Sequence, residues 1–343
     1  MSPPLITHVY TADPSAHVFD GKVYIYPSHD RETDIQFNDN GDQYDMVDYH
    51  VFSLDSLEAY ADEPSSSSVE SPKVTDHGVV LSAEQVPWVS RQLWAPDAAR
   101  RKGRYYLYFP ARDKSEVFRI GVAVGDSPVG PFVPDPEPIP GSFSIDPASF
   151  VDDDVDESAY LYFGGLWGGQ LQCYQTGNAP EHFDAAWLGP KEPSGPGAKA
   201  LFPKVAKLAD DMRSFEGPVR DLVILAPETG APIEADDHER RFFEAAWMHK
   251  RDGIYYFSYS TGDTHFLAYA TSKSPLGPFT YGGRILEPVL GWTTHHSIVE
   301  FEGRWWLFHH DCELSGGVNH LRSVKVKEIF YDKEGRITTV KPE

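Results

Sequence analysis

The chain has 343 residues, room for one large domain or two or three ordinary ones, and its 41% hydrophobic and 13% aromatic content supplies ample core. Against 30 Lys and Arg stand 52 Asp and Glu, a net charge of −22, which repels phosphate backbones and anionic lipid and argues against nucleic-acid and membrane partners. Cys173 and Cys312 lie far apart with no CxxC spacing, which argues against a disulfide framework and a zinc cluster.

The N-terminus, Met1 to Ile6, has no basic stretch followed by an apolar run, and no segment has the apolar length needed to span a bilayer. The expectation is a cytoplasmic protein. The first predicted unit begins near residue 8. Ala12-Asp13-Pro14 leads into Gly21-Lys22-Val23-Tyr24-Ile25-Tyr26, a strand, a tight turn and a second strand. Asn38 to Asp42 loosely resembles a calcium loop but lacks its closing bidentate Glu, and reads as a polar rim loop. Segment 61–75, with its serine run, reads as an exposed loop.

The pattern then recurs. Trp94-Ala95-Pro96-Asp97 precedes Gly103-Arg104-Tyr105-Tyr106-Leu107-Tyr108, and Ile145-Asp146-Pro147 precedes Ala159-Tyr160-Leu161-Tyr162-Phe163. Phe243-Glu244-Ala245 precedes Gly253-Ile254-Tyr255-Tyr256, and His295-His296-Ser297 precedes Gly303-Arg304-Trp305-Trp306. Third strands follow at Ile120–Val124 and Phe266–Ala270. Each runs into nearly the same turn, Ser127 to Phe132 and Ser274 to Phe279, 147 positions apart. Repetition on this scale predicts an all-β, five-bladed β-propeller in one domain, 1–343. The Pro- and Gly-rich stretch at roughly 175–240 reads as a long excursion between the third and fourth blades.

A propeller gathers equivalent positions of every blade at one end of its axis. In four of the five units the leading strand opens on a carboxylate: Asp13, Asp97, Asp146 and Glu244. Cleaving an acetal between sugars needs one carboxyl protonated, to expel the leaving group, and one ionised, to activate water or attack. A third acid nearby holds the donor's pKa up.

These five motifs, in this order and strand context, resemble glycoside hydrolase family 43, the propellers that include β-xylosidases and α-L-arabinofuranosidases. The resemblance runs from about residue 7 to 340. It implies Asp13 as general base, Asp146 as the acid that raises and orients the donor, and Glu244 as general acid. Glu216, in Ser214-Phe215-Glu216-Gly217, is a rival for the last role, but no hairpin follows it. Family members invert the anomeric centre, which goes with carboxyl separations of about 6.5–9.5 Å.

The resemblance also assigns Trp94 and Asp97 to the pocket floor, Asp97 being equally readable as a buried acid satisfied by backbone amides. Arg322 is expected to reach sugar hydroxyls or a carboxylate, and Trp167 and Phe37 are candidate platforms for a sugar ring. His296 is expected under the site. It either helps bind a divalent cation, Ca2+ with several waters, or hydrogen-bonds the catalytic acids. His295 should point to the opposite face of its strand. No organic cofactor is expected.

The implied activity is release of xylose or arabinose from non-reducing ends of xylo-oligosaccharides or arabinose-substituted oligosaccharides. An endo-arabinanase, a non-catalytic sugar-binding propeller and a scaffold for protein partners are the alternatives. The choice between the pentoses and the oligomeric state, a homo-oligomer included, stay open.

Overall fold

The structure, a computed structural model, describes residues 3–62, 73–154 and 156–342. It is all-β: five small sheets, antiparallel but for one short edge strand, whose innermost strands neighbour one another in a closed cycle. Blade I runs Tyr10–Phe19, Lys22–Asp30, Asp48–Leu54 and Thr75–Ser82. Blade II is built on Asp97–Arg101, Arg104–Asp113 and Phe118–Gly125, and blade III on Ala148–Val151, Ala159–Phe163, Lys204–Lys207 and Arg220–Asp221. Blade IV comprises Glu244–Arg251, Ile254–Ser260, Leu267–Ser272 and Phe279–Leu286, and blade V His296–Phe301, Arg304–Asp311 and Ser323–Ile329. Most of the expected exposed loop at 61–75 lies outside the described residues.

In four blades the first two strands meet in two-residue turns with both residues at positive φ. They are Asp20-Gly21, Lys102-Gly103, Asp252-Gly253 and Glu302-Gly303. Such turns match the twist of the strands they join, which is why Gly recurs at the second position. The blades are stitched by repeated tyrosines. The Tyr26 hydroxyl donates to Pro128 O at 2.6 Å, and that of Tyr162 to Pro275 O at 2.8 Å. Both acceptors lie in the near-identical turns of the following blade.

The stretch at 175–240 corrects the reading of it as a plain excursion. Lys204–Lys207 pairs with Ala159–Phe163 as the third strand of blade III, and Ile224–Leu225 adds in parallel to Phe279–Leu286 of blade IV. Both strands are too short, and in Lys-Val-Ala-Lys too polar, to stand out as strands among prolines and glycines.

The ring closes between blades I and V. Leu5 N–H donates to Val324 O at 2.8 Å and Thr11 N–H to Arg322 O at 2.9 Å. Across the same seam Leu5, Ile6, Val23, Ile25 and Phe52 pack with Trp306, Phe308, Val324 and Val326, all buried. The aliphatic and aromatic area removed from water there, at about 25 cal/mol per Å2, holds the two ends of the chain together.

Candidate active site

One cleft of about 650 Å3 opens at the end of the propeller axis where the leading strands begin, and Asp13, Asp146 and Glu244 all line it. Each is presented by irregular backbone. Asp13 has φ 49° and lies where the pairing of the first two strands of blade I slips between Ala12 and Ser15. Blade IV slips in the same way between Glu244 and Trp247, with Ala245 at φ 64°. Asp146 has φ 55° just ahead of its strand. Bulges of this kind re-aim a side chain that regular pleating would send elsewhere.

Asp13 is 6% exposed and fully partnered. Ser28 Oγ donates to its Oδ2 at 2.6 Å and Arg322 Nη1 to its Oδ1 at 2.9 Å. Its backbone N–H donates to His310 Nδ1 at 3.0 Å. Burial works against its ionisation, but Arg322, the neighbouring histidines and the Ser28 hydroxyl outweigh it and hold the carboxyl down at about 2. His310 accepts that hydrogen bond at Nδ1, and burial lowers its pKa to about 3, so it is neutral. Burial likewise holds His295, whose Nδ1 lies 3.6 Å from Asp13 Oδ1, at about 4. At neutral pH, where both histidines are uncharged, the positive charge facing Asp13 is that of Arg322.

The other two acids are pushed the opposite way. Burial, then the Asp13 charge, raises Asp146 to about 8, although Ala245 N–H donates to its Oδ2 at 2.7 Å. Burial, then Asp146 and Asp13, raises Glu244 well above the usual carboxylate range. Asp146 has an amide to steady its charge, whereas no hydrogen bond from a described residue reaches the Glu244 carboxyl. Glu244 therefore holds its proton to higher pH than Asp146 does. The rival, Glu216, is exposed, ion-paired with Lys207 at 2.9 Å and absent from the cleft.

Trp94, Trp167, Phe37 and Arg322 line the cleft as expected. Trp94 donates from Nε1 to Tyr44 O at 2.8 Å, and Gly41 packs so closely on its ring that a Cβ there would lie 2.6 Å from it. Trp167 stands at φ 54° in a turn that Ser144 fixes by donating to Gly169 O at 2.7 Å and accepting from Gly165 N–H. Arg322 reaches a carboxylate, not open space. It grips Asp30 through Nε at 2.8 Å and Nη2 at 2.7 Å while Nη1 serves Asp13, and it lies 4.9 Å over the Tyr44 ring.

Two assignments are corrected. Asp97 does not line the cleft; it is 1% exposed and accepts from Ser15 Oγ at 2.6 Å and from Ser149 N–H and Oγ, with His17 Nε2 at 2.8 Å. It begins its strand in regular register, without the slip that turns Asp13 and Glu244 outward, and so ties blades I, II and III together. His296 does not touch the cleft either. It is fully buried, its Nε2 is 2.6 Å from Ser258 Oγ, and its Nδ1 is buried without a partner. The neighbour expected to face away, His295, is the one in the cleft. The orphaned Nδ1 fits a cation that brings its own waters. No carboxylate groups with His296 among the described residues, so a carboxylate cage does not fit.

Sequence reasoning missed Asp30, Ser28, His295, His310, Tyr44 and Trp292. Only His295, beside a motif residue, carried a signal.

Comparison with known proteins agrees with this geometry. The profile of the glycosyl hydrolases family 43 matches residues 6–337. The chain belongs to that family. It is 77% identical to a xylosidase/arabinosidase 43A of Humicola insolens over 99% of both chains, and 55% identical to a xylosidase/arabinosidase of Bacteroides ovatus over 98% and 96%. Among solved structures, a family 43 β-xylosidase/α-arabinofuranosidase from a compost microbial metagenome superposes with TM-score 0.91 at 57% identity, covering 99% and 97%. That structure holds xylotriose and is a calcium-free form. A family enzyme from Xanthomonas citri in complex with xylose superposes with TM-score 0.87 at 51% identity, covering 100% and 94%.

Proposed function

We propose that this glycoside hydrolase releases xylose from non-reducing ends of xylo-oligosaccharides, with α-L-arabinofuranosidase activity in the same cleft, by single displacement with inversion. One arrangement carries the reading: in a single cleft Asp13 is bonded by Arg322 and Ser28, which favour its ionised form, while Glu244 is buried beside two carboxyls with no hydrogen bond from a described residue, which favours its protonated form. Opposed environments for paired carboxyls mark the base and the acid of a glycosidase. Asp13 takes a proton from the attacking water. Glu244 gives its proton to the departing glycosidic oxygen. The buried Asp146 carboxyl beside Glu244 favours the proton staying there, and its bond from Ala245 N–H fixes the orientation of that neighbour.

The sugar ring is bounded by Trp94, Trp167 and Phe37, and the names and xylotriose complex of the similar proteins support a pentose. His296 Nδ1 is the nitrogen we assign to a hydrated calcium ion; when bound, its charge favours the ionised form of carboxyls within reach.

The test is hydrolysis of aryl β-D-xylopyranoside and aryl α-L-arabinofuranoside by wild type and Asp13→Ala, with and without EDTA. Turnover by wild type alone is expected, the rate ratio fixing the preferred pentose, and calcium restoring any loss to EDTA. Failure on both glycosides with mid-chain cleavage of arabinan would replace the exo-pentosidase reading by an endo-arabinanase.

A further inference from the structure

We infer a transition-metal site on the flank of blade I, formed by His29, Asp48 and His50. One donor atom from each lies within 4.8 Å of the others. His29 Nδ1 and Asp48 Oδ1 already meet at 2.6 Å across adjacent strands. The side chains of Asp48 and His50 follow one another on the same face of their strand, two residues apart, and the two imidazoles meet edge to face at 4.8 Å between centroids. Donors around one tetrahedral zinc lie about 3.4 Å apart for bonds of about 2.0–2.1 Å. Seating an ion thus takes side-chain rotations of little more than about an ångström, which part His29 from Asp48, in place of their hydrogen bond, and draw in the wider pairs.

Two imidazoles and one carboxylate suit zinc, nickel or copper; calcium and magnesium prefer an all-oxygen set. A supporting shell is present. Asp76 Oδ1 lies 3.2 Å from His50 Nδ1 and orients that ring, and Asp76 Oδ2 is 2.8 Å from His8 Nε2. The three side chains are 24%, 19% and 14% exposed, open enough for an ion to enter.

The site has a structural purpose. His29 closes one strand and Asp48 opens the next, and the 31–47 loop between them supplies Phe37, Asn38, Gly41 and Tyr44 to the cleft wall. An ion there would bind the two feet of that loop together. On the opposite face of the strand the next residue, Asp30, anchors Arg322.

The test uses the full tag-free chain, stripped with chelator and titrated calorimetrically with zinc chloride in excess calcium. One equivalent of zinc is expected to bind to wild type and to His296→Ala. His50→Ala and His29→Gln should each weaken zinc on the order of 100-fold, and Asp76→Asn about 10-fold. Cobalt in place of zinc should give the d–d absorption of a low-symmetry site in wild type and not in His50→Ala, with thermal melting showing each variant folded. Zinc binding unchanged in both histidine variants, or no zinc binding by folded wild type, would overturn the proposal.

Discussion

Arg322 serves two carboxylates at once: its Nη1 reaches Asp13 Oδ1 at 2.9 Å while Nε and Nη2 grip Asp30. The second pair fixes the guanidinium, so its charge cannot turn away from Asp13. Replacing Arg322 by Lys keeps a cation but loses the fork. The pKa of Asp13 should rise from about 2, and the acidic limb of kcat/KM should move to higher pH by about one unit. Arg322→Ala should also destabilise by about 3–5 kcal/mol, since it strands buried charge. Denaturant titration beside the pH–rate profile reads both effects.

Glu244 has the opposite task. Glu244→Gln cannot protonate a leaving group, which should cost about 10²–10⁴ in kcat on xylobiose. An aryl glycoside whose phenol leaves without help should lose far less. Xylotriose should still bind, measured calorimetrically. Equal losses on both substrates would remove Glu244 from the acid's role.

Asp146 links rate to stability. Without its charge Glu244 loses a cause of its raised pKa, so the basic limb of the pH–rate profile of Asp146→Asn should move to lower pH. The folded pKa of Asp146 is raised to about 8 from 3.8. Its protonated form therefore stabilises the fold fully below pH 3.8, and that contribution is lost as pH rises through 8. Asp146→Asn should then be more stable than wild type at pH 8, by at least about 1 kcal/mol, with the difference fading towards pH 4. Thermal melting across pH measures it.

Asp97 should behave as a fastener. Asp97→Asn loses charge-assisted bonds to Ser15, His17 and Ser149, at a cost of about 1–3 kcal/mol, while kcat stays at the wild-type value. A collapse of kcat in folded Asp97→Asn would return this residue to the site.

The three cleft acids were legible because each precedes a hairpin marked by aromatic and β-branched residues, most with a Gly turn. That places them at matching ends of their blades. The same logic misplaced Asp97, because a leading acid faces the cleft where the backbone departs from regular strand geometry, as at Asp13, Asp146 and Glu244 but not at Asp97. Ala12-Asp13-Pro14 and Pro96-Asp97 look alike as strings; only pairing against the neighbouring strand shows that the first is bulged and the second is not. Tyr44, Trp292 and His310 were silent for another reason. Tyr44 and Trp292 reach the cleft from loops and His310 reaches Asp13 from a second strand, positions that only the closed ring sets. Asp30 ends a strand of ordinary pattern, and nothing local marks it as the partner of a residue 292 positions away.

The seam between blades I and V gives the site a temporal property. Asp13 is made ahead of His295, His310 and Arg322, which surround its carboxyl and belong to the fifth blade. Until that blade docks, Asp13 is a solvated carboxylate like any other. The nascent chain thus carries its acids for most of its length without the environment that divides them into a base and an acid, and competence arrives in one step, when the ring shuts.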